Sequence, residues 1–123
     1  MTFKHTLNKN WAGPAGNIQK SLPATGEQEI NFDFVLAAST TNQQRPLAFK
    51  IALLQSIFIS SDQNITLKTN STSAPSDTKN ITAGDPYLAT GISAPFSADV
   101  TTAYFTNPGT TAANVQVRCL TNG

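Results

Sequence analysis

The chain has 123 residues, with eight Lys and Arg against seven Asp and Glu, a net charge of +1, and only 12% of its residues are charged. A typical domain is about 25% charged; polarity here comes instead from 17 Thr, 11 Asn and 10 Ser. That balance excludes a disordered polyelectrolyte, offers no electrostatic footprint for nucleic acid, and at this length points to one β-rich, turn-rich domain.

Residues 1–25 are turn-rich, with Trp11-Ala12-Gly13-Pro14-Ala15-Gly16 and Leu22-Pro23-Ala24-Thr25-Gly26 separated by isolated apolar residues (Phe3, Leu7, Ile18). Such a segment predicts one short strand at most and no core element of its own. It is expected to be an N-terminal arm that wraps its own domain or reaches a neighbour, with residues 26–123 forming the domain proper.

From Gln28 the pattern sharpens. Ile30, Phe32, Phe34 and Leu36 fall on one strand face, and Glu27, Glu29, Asn31 and Asp33 on the other. Val35 and Ala37 make the second face apolar toward its end, which calls for a cover. Thr40–Gln44 is expected to be a loop. Residues 47–60 fit both an alternating strand and a helical stripe through Leu47, Ile51, Leu54 and Phe58. The β-branched and aromatic run Ile57-Phe58-Ile59 and Pro46 at its start favour a strand, bent near Leu54-Gln55-Ser56 because strands rarely run so long. Residues 64–69 alternate again, and 70–77 form a solvated loop. Short strands are expected over 78–82, 87–90, 101–106 and 114–120. Eight or nine strands at this spacing predict an all-β, single-domain, two-sheet antiparallel sandwich, jelly-roll-like, because one open sheet would leave a face unburied.

Candidate chemistry is sparse. A triad would need a histidine, and the only one, His5, lies in the arm, the loosest segment of the chain; no Gly-x-Ser-x-Gly occurs. Cys119 is in phase with Val115 and Val117 and is expected to be a small buried hydrophobe. A lone cysteine makes no intrachain disulfide, and no Cys/His cluster suits zinc. Glu27, Glu29 and Asp33 share a face without an apolar wall to raise a carboxyl pKa. Asp62, Asn64, Asp77 and Asp85 have oxygen donors suited to calcium but are explained by turn formation. The sequons at Asn64, Asn70 and Asn80 match chance for this composition. No catalytic residue, cofactor or metal is therefore expected. The first ten residues lack a signal peptide's apolar stretch and no run is long enough for a membrane span, so synthesis in a cytosol, without a membrane partner, is expected. Trp11, Tyr87 and Tyr104 suit stacking on sugar rings or a protein interface, although Trp11 could equally cap an open end of the sandwich.

From Leu53 onward the chain resembles the small β-sandwich virion proteins of tailed bacteriophages. The resemblance is carried by Gln55-Ser56-Ile57-Phe58-Ile59-Ser60-Ser61-Asp62, Ile65-Thr66-Leu67-Lys68-Thr69 and Ile81-Thr82-Ala83-Gly84-Asp85-Pro86. It continues through residues 96–107 to Val115-Gln116-Val117-Arg118. It implies a non-enzymatic virion part, foremost a capsid cement or decoration protein. Such a subunit would be made in the host cytoplasm, self-associate as a homotrimer and bind the major capsid protein. Phe3, Trp11 and Tyr104 are the expected partner-interface residues. The alternative is a carbohydrate- or receptor-binding module of a fibre, tail or adhesin.

Overall fold

A computed structural model describes residues 2–90 and 95–122. Among the described residues ten strands follow in chain order. They are β1 (Phe3–Gly13), β2 (Gly16–Gly26), β3 (Gln28–Leu36), β4 (Thr40–Arg45), β5 (Leu54–Ser61), β6 (Ile65–Thr69), β7 (Thr78–Ile81), β8 (Tyr87–Thr90), β9 (Ala103–Asn107) and β10 (Ala113–Thr121). A single 3-10 turn, Ile51–Leu53, precedes β5.

β3-β10-β5-β8 form one antiparallel sheet and β4-β9-β6-β7 a second, while β1 and β2 pair only with each other. Numbering the eight strands after the hairpin, the order first-eighth-third-sixth faces second-seventh-fourth-fifth. This is the jelly-roll order, two Greek keys folded face to face. The all-β sandwich expected from the sequence is the fold.

Period-2 patterning explains the two layers. β6 and β9 bury every second residue: Ile65, Leu67 and Thr69, then Ala103, Phe105 and Asn107. From the other sheet, Leu36, Ile57, Ile59, Val115, Val117 and Cys119 complete the core, with Ile30, Phe32 and Phe34 packed half-buried at its edge. Phe34 meets Phe105 edge-on at 5.0 Å, and the Arg45 guanidinium lies over the Phe34 ring at 4.4 Å. The buried Asn107 amide donates to the Leu36 and Thr111 carbonyls, which avoids the cost of an unpaired buried donor; the buried Nε of Arg45, by contrast, has no hydrogen-bond partner among the described residues.

Three local expectations change. Residues 40–45 are a strand, not a loop: polar on both faces, β4 lies at a sheet edge and pairs with β9 on one side only. Residues 47–60 are not one bent strand. This segment carries the chain from the second sheet to the first, with only a Phe49–Val100 bridge and the 3-10 turn before β5 begins at Leu54. A strand that switches sheets must break its ladder. The largest change is in the arm, where residues 3–26 form two eleven-residue strands in unbroken register, from Phe3↔Gly26 to Gly13↔Gly16. Pro14 and Ala15 make the two-residue turn, and Gly16 takes the φ of +119° that the reversal requires. Of the Gly and Pro residues that suggested a succession of turns, Gly13, Pro14 and Gly16 mark this one reversal and Gly26 the arm's junction with the body, while Pro23 lies within β2 opposite Thr6.

Candidate interaction surface on the hairpin arm

The hairpin has a foot and a tip. At the foot, Phe3, His5 and Leu7 on β1 and Leu22, Ala24 and Gly26 on β2 point the same way and are buried or half-buried. They cover the outer face of the first sheet at the Leu120 end of β10. The cover shows in β10 itself, where the burial alternation stops and Cys119, Leu120 and Thr121 are all buried. At the junction, the Glu27 amide donates to the Thr121 carbonyl at 2.9 Å. A Cβ on Gly26 would lie 2.5 Å from that same oxygen, so only glycine fits there.

His5 clamps the foot. Its Nε2 lies 3.0 Å from Glu29 Oε1, and its Nδ1 lies 3.4 Å from Ser56 Oγ. A carboxylate can only accept, so Nε2 carries the proton, and Nδ1 accepts from the Ser56 hydroxyl in the neutral ring. The His5 hydrogen bond, supported by one from Asn31, holds the Glu29 carboxyl below its ordinary range. Sequence alone places His5 in the loosest segment of the chain. Serine, histidine and a carboxylate do come together here, beside a cleft of about 270 Å³. Ser56, however, is 2% exposed, and its strand is paired on both sides, to Leu120 and to Thr90. What this geometry provides is a fastening between arm and sheet.

Beyond Leu7 the hairpin leaves the body. Residues 8–12 and 14–21 are all exposed. Trp11 and Ile18 are direct cross-strand partners on the face that continues from Phe3, His5 and Leu7, and they stand 68% and 58% exposed. Trp11 therefore does not cap the sandwich. Phe3 is half-buried at the foot, and Tyr104 lies on the outer face of the second sheet, paired with Gln44 and Lys68. Phe3, Trp11 and Tyr104 thus occupy three separate places, and the structure does not bring them into one surface. Ile18, passed over in sequence as an isolated apolar residue, is the true companion of Trp11; only the hairpin register reveals it.

The outer face of the first sheet continues away from the foot. Arg118 donates to both Asp33 oxygens, at 2.7 and 3.3 Å, and this holds the Asp33 carboxyl below its ordinary range. Asp62 accepts from the Asn114 backbone and side-chain amides, both at 2.8 Å, with the same effect. Between them Val35, which sequence marked as needing a cover, is 61% exposed. Asn64 and Asp77 tie separate loops together and do not close local turns: Asn64 accepts from the Ala83 amide, and Asp77 from Ser97. No group of three metal-ligating side chains occurs among the described residues. Cys119 is fully buried, and burial pushes its thiol pKa up to about 12. No helix among the described residues is long and apolar enough to cross a membrane. No protein-family model, curated protein or solved structure matches this chain.

Proposed function

We propose that this chain is a non-enzymatic structural subunit of a tailed-phage virion. In this reading it is a capsid decoration protein that self-associates as a homotrimer and binds the major capsid lattice. The observation that carries the reading is the hairpin, an eleven-residue ladder with a fastened foot and a free tip presenting Trp11 and Ile18. A projecting aromatic anchor on a stiff ribbon suits a protein whose task is contact. Two further features support it. The jelly roll is an architecture shared by viral capsid domains. A surface with few charges also packs against neighbours with few ions to desolvate.

Quantitative mass spectrometry of purified virions tests the reading. The expected result is many copies in fixed ratio to the major capsid protein; absence from virions refutes it. An exposed indole also suits a sugar ring. Glycan-array binding that disappears in Trp11→Ala, with no association with capsids, would replace this reading with the carbohydrate-binding one.

A further inference from the structure

We infer that the tip of the hairpin docks on the outer face of the first sheet of a second copy of this chain, at the depression around Asp33, Val35 and Asp62. This specifies the surface behind the self-association proposed above and rests on that part of the reading.

The tip is built for an acidic, partly apolar partner. Lys9 and Lys20 lie directly opposite each other in the hairpin register, next to the Trp11–Ile18 pair and on the same face. Like charges placed opposite across a ladder destabilise it unless an anion is supplied. An exposed aromatic–aliphatic pair gains by being covered. The same face, four residues nearer the foot at Leu7, already packs on a first-sheet outer face, its own chain's, so the tip has the geometry of that contact without the sheet beneath it.

The acceptor lies on the same molecule, out of the tip's own contact. A depression of about 460 Å³ is lined by Asp33, Phe34, Val35, Asp62, Asn114 and Gln116. It offers an exposed apolar side chain between two carboxylates: Asp33 is already paired with Arg118, whereas Asp62 accepts from the neutral amides of Asn114 alone and supplies the negative charge opposite the two ammonium groups. It sits at the Asn114 end of β10, whereas the foot sits at the Thr121 end, about 20 Å away along the strand. Charge is divided in the same sense over the whole chain. Residues 1–25 hold Lys4, Lys9 and Lys20 and no acid, while the rest hold the other five cations and all seven acids. A positive arm on an acidic body favours head-to-tail contact between copies. Because tip and depression are different surfaces, the contact is heterologous, and a trimer is the ring formed when three such contacts close.

Charge-swap variants of the full chain test this, with mass from sedimentation equilibrium and environment from the emission of Trp11, the sole tryptophan. The unaltered chain is expected to form trimers with blue-shifted emission. Lys9→Glu with Lys20→Glu, or Asp62→Lys alone, should weaken association about tenfold or more and shift emission to the red. Their circular dichroism should stay that of the unaltered fold, because none of the three side chains is in the core and Asp62→Lys forfeits only exposed bonds to Asn114. The triple variant, with both reversals in one chain, should regain the trimer. Trimers that persist in both partial variants would overturn the docking surface while leaving self-association intact. Association lost in the partial variants but not regained in the triple variant would overturn the pairing. A monomer at every concentration would overturn both the docking surface and self-association; a blue shift seen only on adding purified capsids would overturn the docking surface alone and assign the tip to the capsid.

Discussion

The sandwich and the tip of the hairpin use the same backbone pairing and differ in what their side chains meet. In β6 and β9 every inward residue is covered by the opposing sheet. In β1 and β2 the register is as regular over twenty-two residues, yet from Asn8 to Ser21 only Gly13 is even half-buried. A ladder of hydrogen bonds exchanges water partners for backbone partners at little net gain, and an isolated two-stranded hairpin is marginal in water. The foot gains its stability from the sheet beneath it and from the His5 clamp. The tip gains none from its own chain, and it is also where Trp11 and Ile18 stand exposed.

The contrast is broken most directly by truncating one large side chain in each region. Phe105→Ala removes a fully buried ring that meets Phe34 and should cost about 3–5 kcal/mol. Trp11→Ala should change the stability of the monomer by no more than about 0.5 kcal/mol. Urea denaturation followed by far-ultraviolet circular dichroism measures both. Comparable losses would mean that the tip belongs to the folding core. Gly26→Ala lies at the junction, where a Cβ would meet the Thr121 carbonyl oxygen. Backbone must then move, and the expected loss is about 1–3 kcal/mol. A neutral result would show the arm's attachment to be slack.

These regions were unequally legible in sequence. β3, and β10 as far as Cys119, alternate between a core face and a second face, so their existence and inward residues follow from period alone. β4 was invisible because an edge strand with polar residues on both faces has the composition of a loop. The arm was mistaken for a run of turns because Gly and Pro mark bends without saying how far apart the paired strands extend. The clamp could not be read at all: Ser56 lies 51 residues from His5, and Glu29 lies 24. Nothing local links them until the hairpin folds back on the sheet. Period-2 reading marked the face of Val35 as apolar and expected a cover over it; within the chain no cover arrives, and Val35 stands 61% exposed.

Chemical probes sharpen the comparison without substitution. Cys119 is fully buried in the sandwich, with its thiol pKa raised to about 12, so at neutral pH it should stay inert to a disulfide reagent until global unfolding. Lys9 and Lys20 lie in the exposed half of the arm. Limited trypsin digestion of dilute, unassociated protein should therefore cut there long before Cys119 reacts, as mass spectrometry would show. Simultaneous loss of both protections would merge arm and body into one cooperative unit.

The smallest expected effect is acid release of the foot. Hydrogen bonding to His5, and then to Asn31, lowers the Glu29 carboxyl below its unfolded value of 4.5. A carboxyl lowered in the folded state stabilises fully above its unfolded pKa, and that contribution fades as pH falls through the folded value. Asp33 and Asp62 are lowered in the same direction by Arg118 and Asn114, so global stability will fall with acid for several reasons at once. Amide hydrogen exchange at residues 3–7, corrected for intrinsic rates, isolates the clamp. Protection there should decline below pH 4.5 before it declines in β6 or β9. Glu29→Gln keeps the side chain's size and can still accept from Nε2, but it does not titrate. It should remove that early decline while leaving the later one in place. If the foot of the variant loosens over the same pH range as the unaltered chain, Glu29 is not the group that fastens the arm, and the packing of Leu7 and Gly26 against the sheet is what holds it.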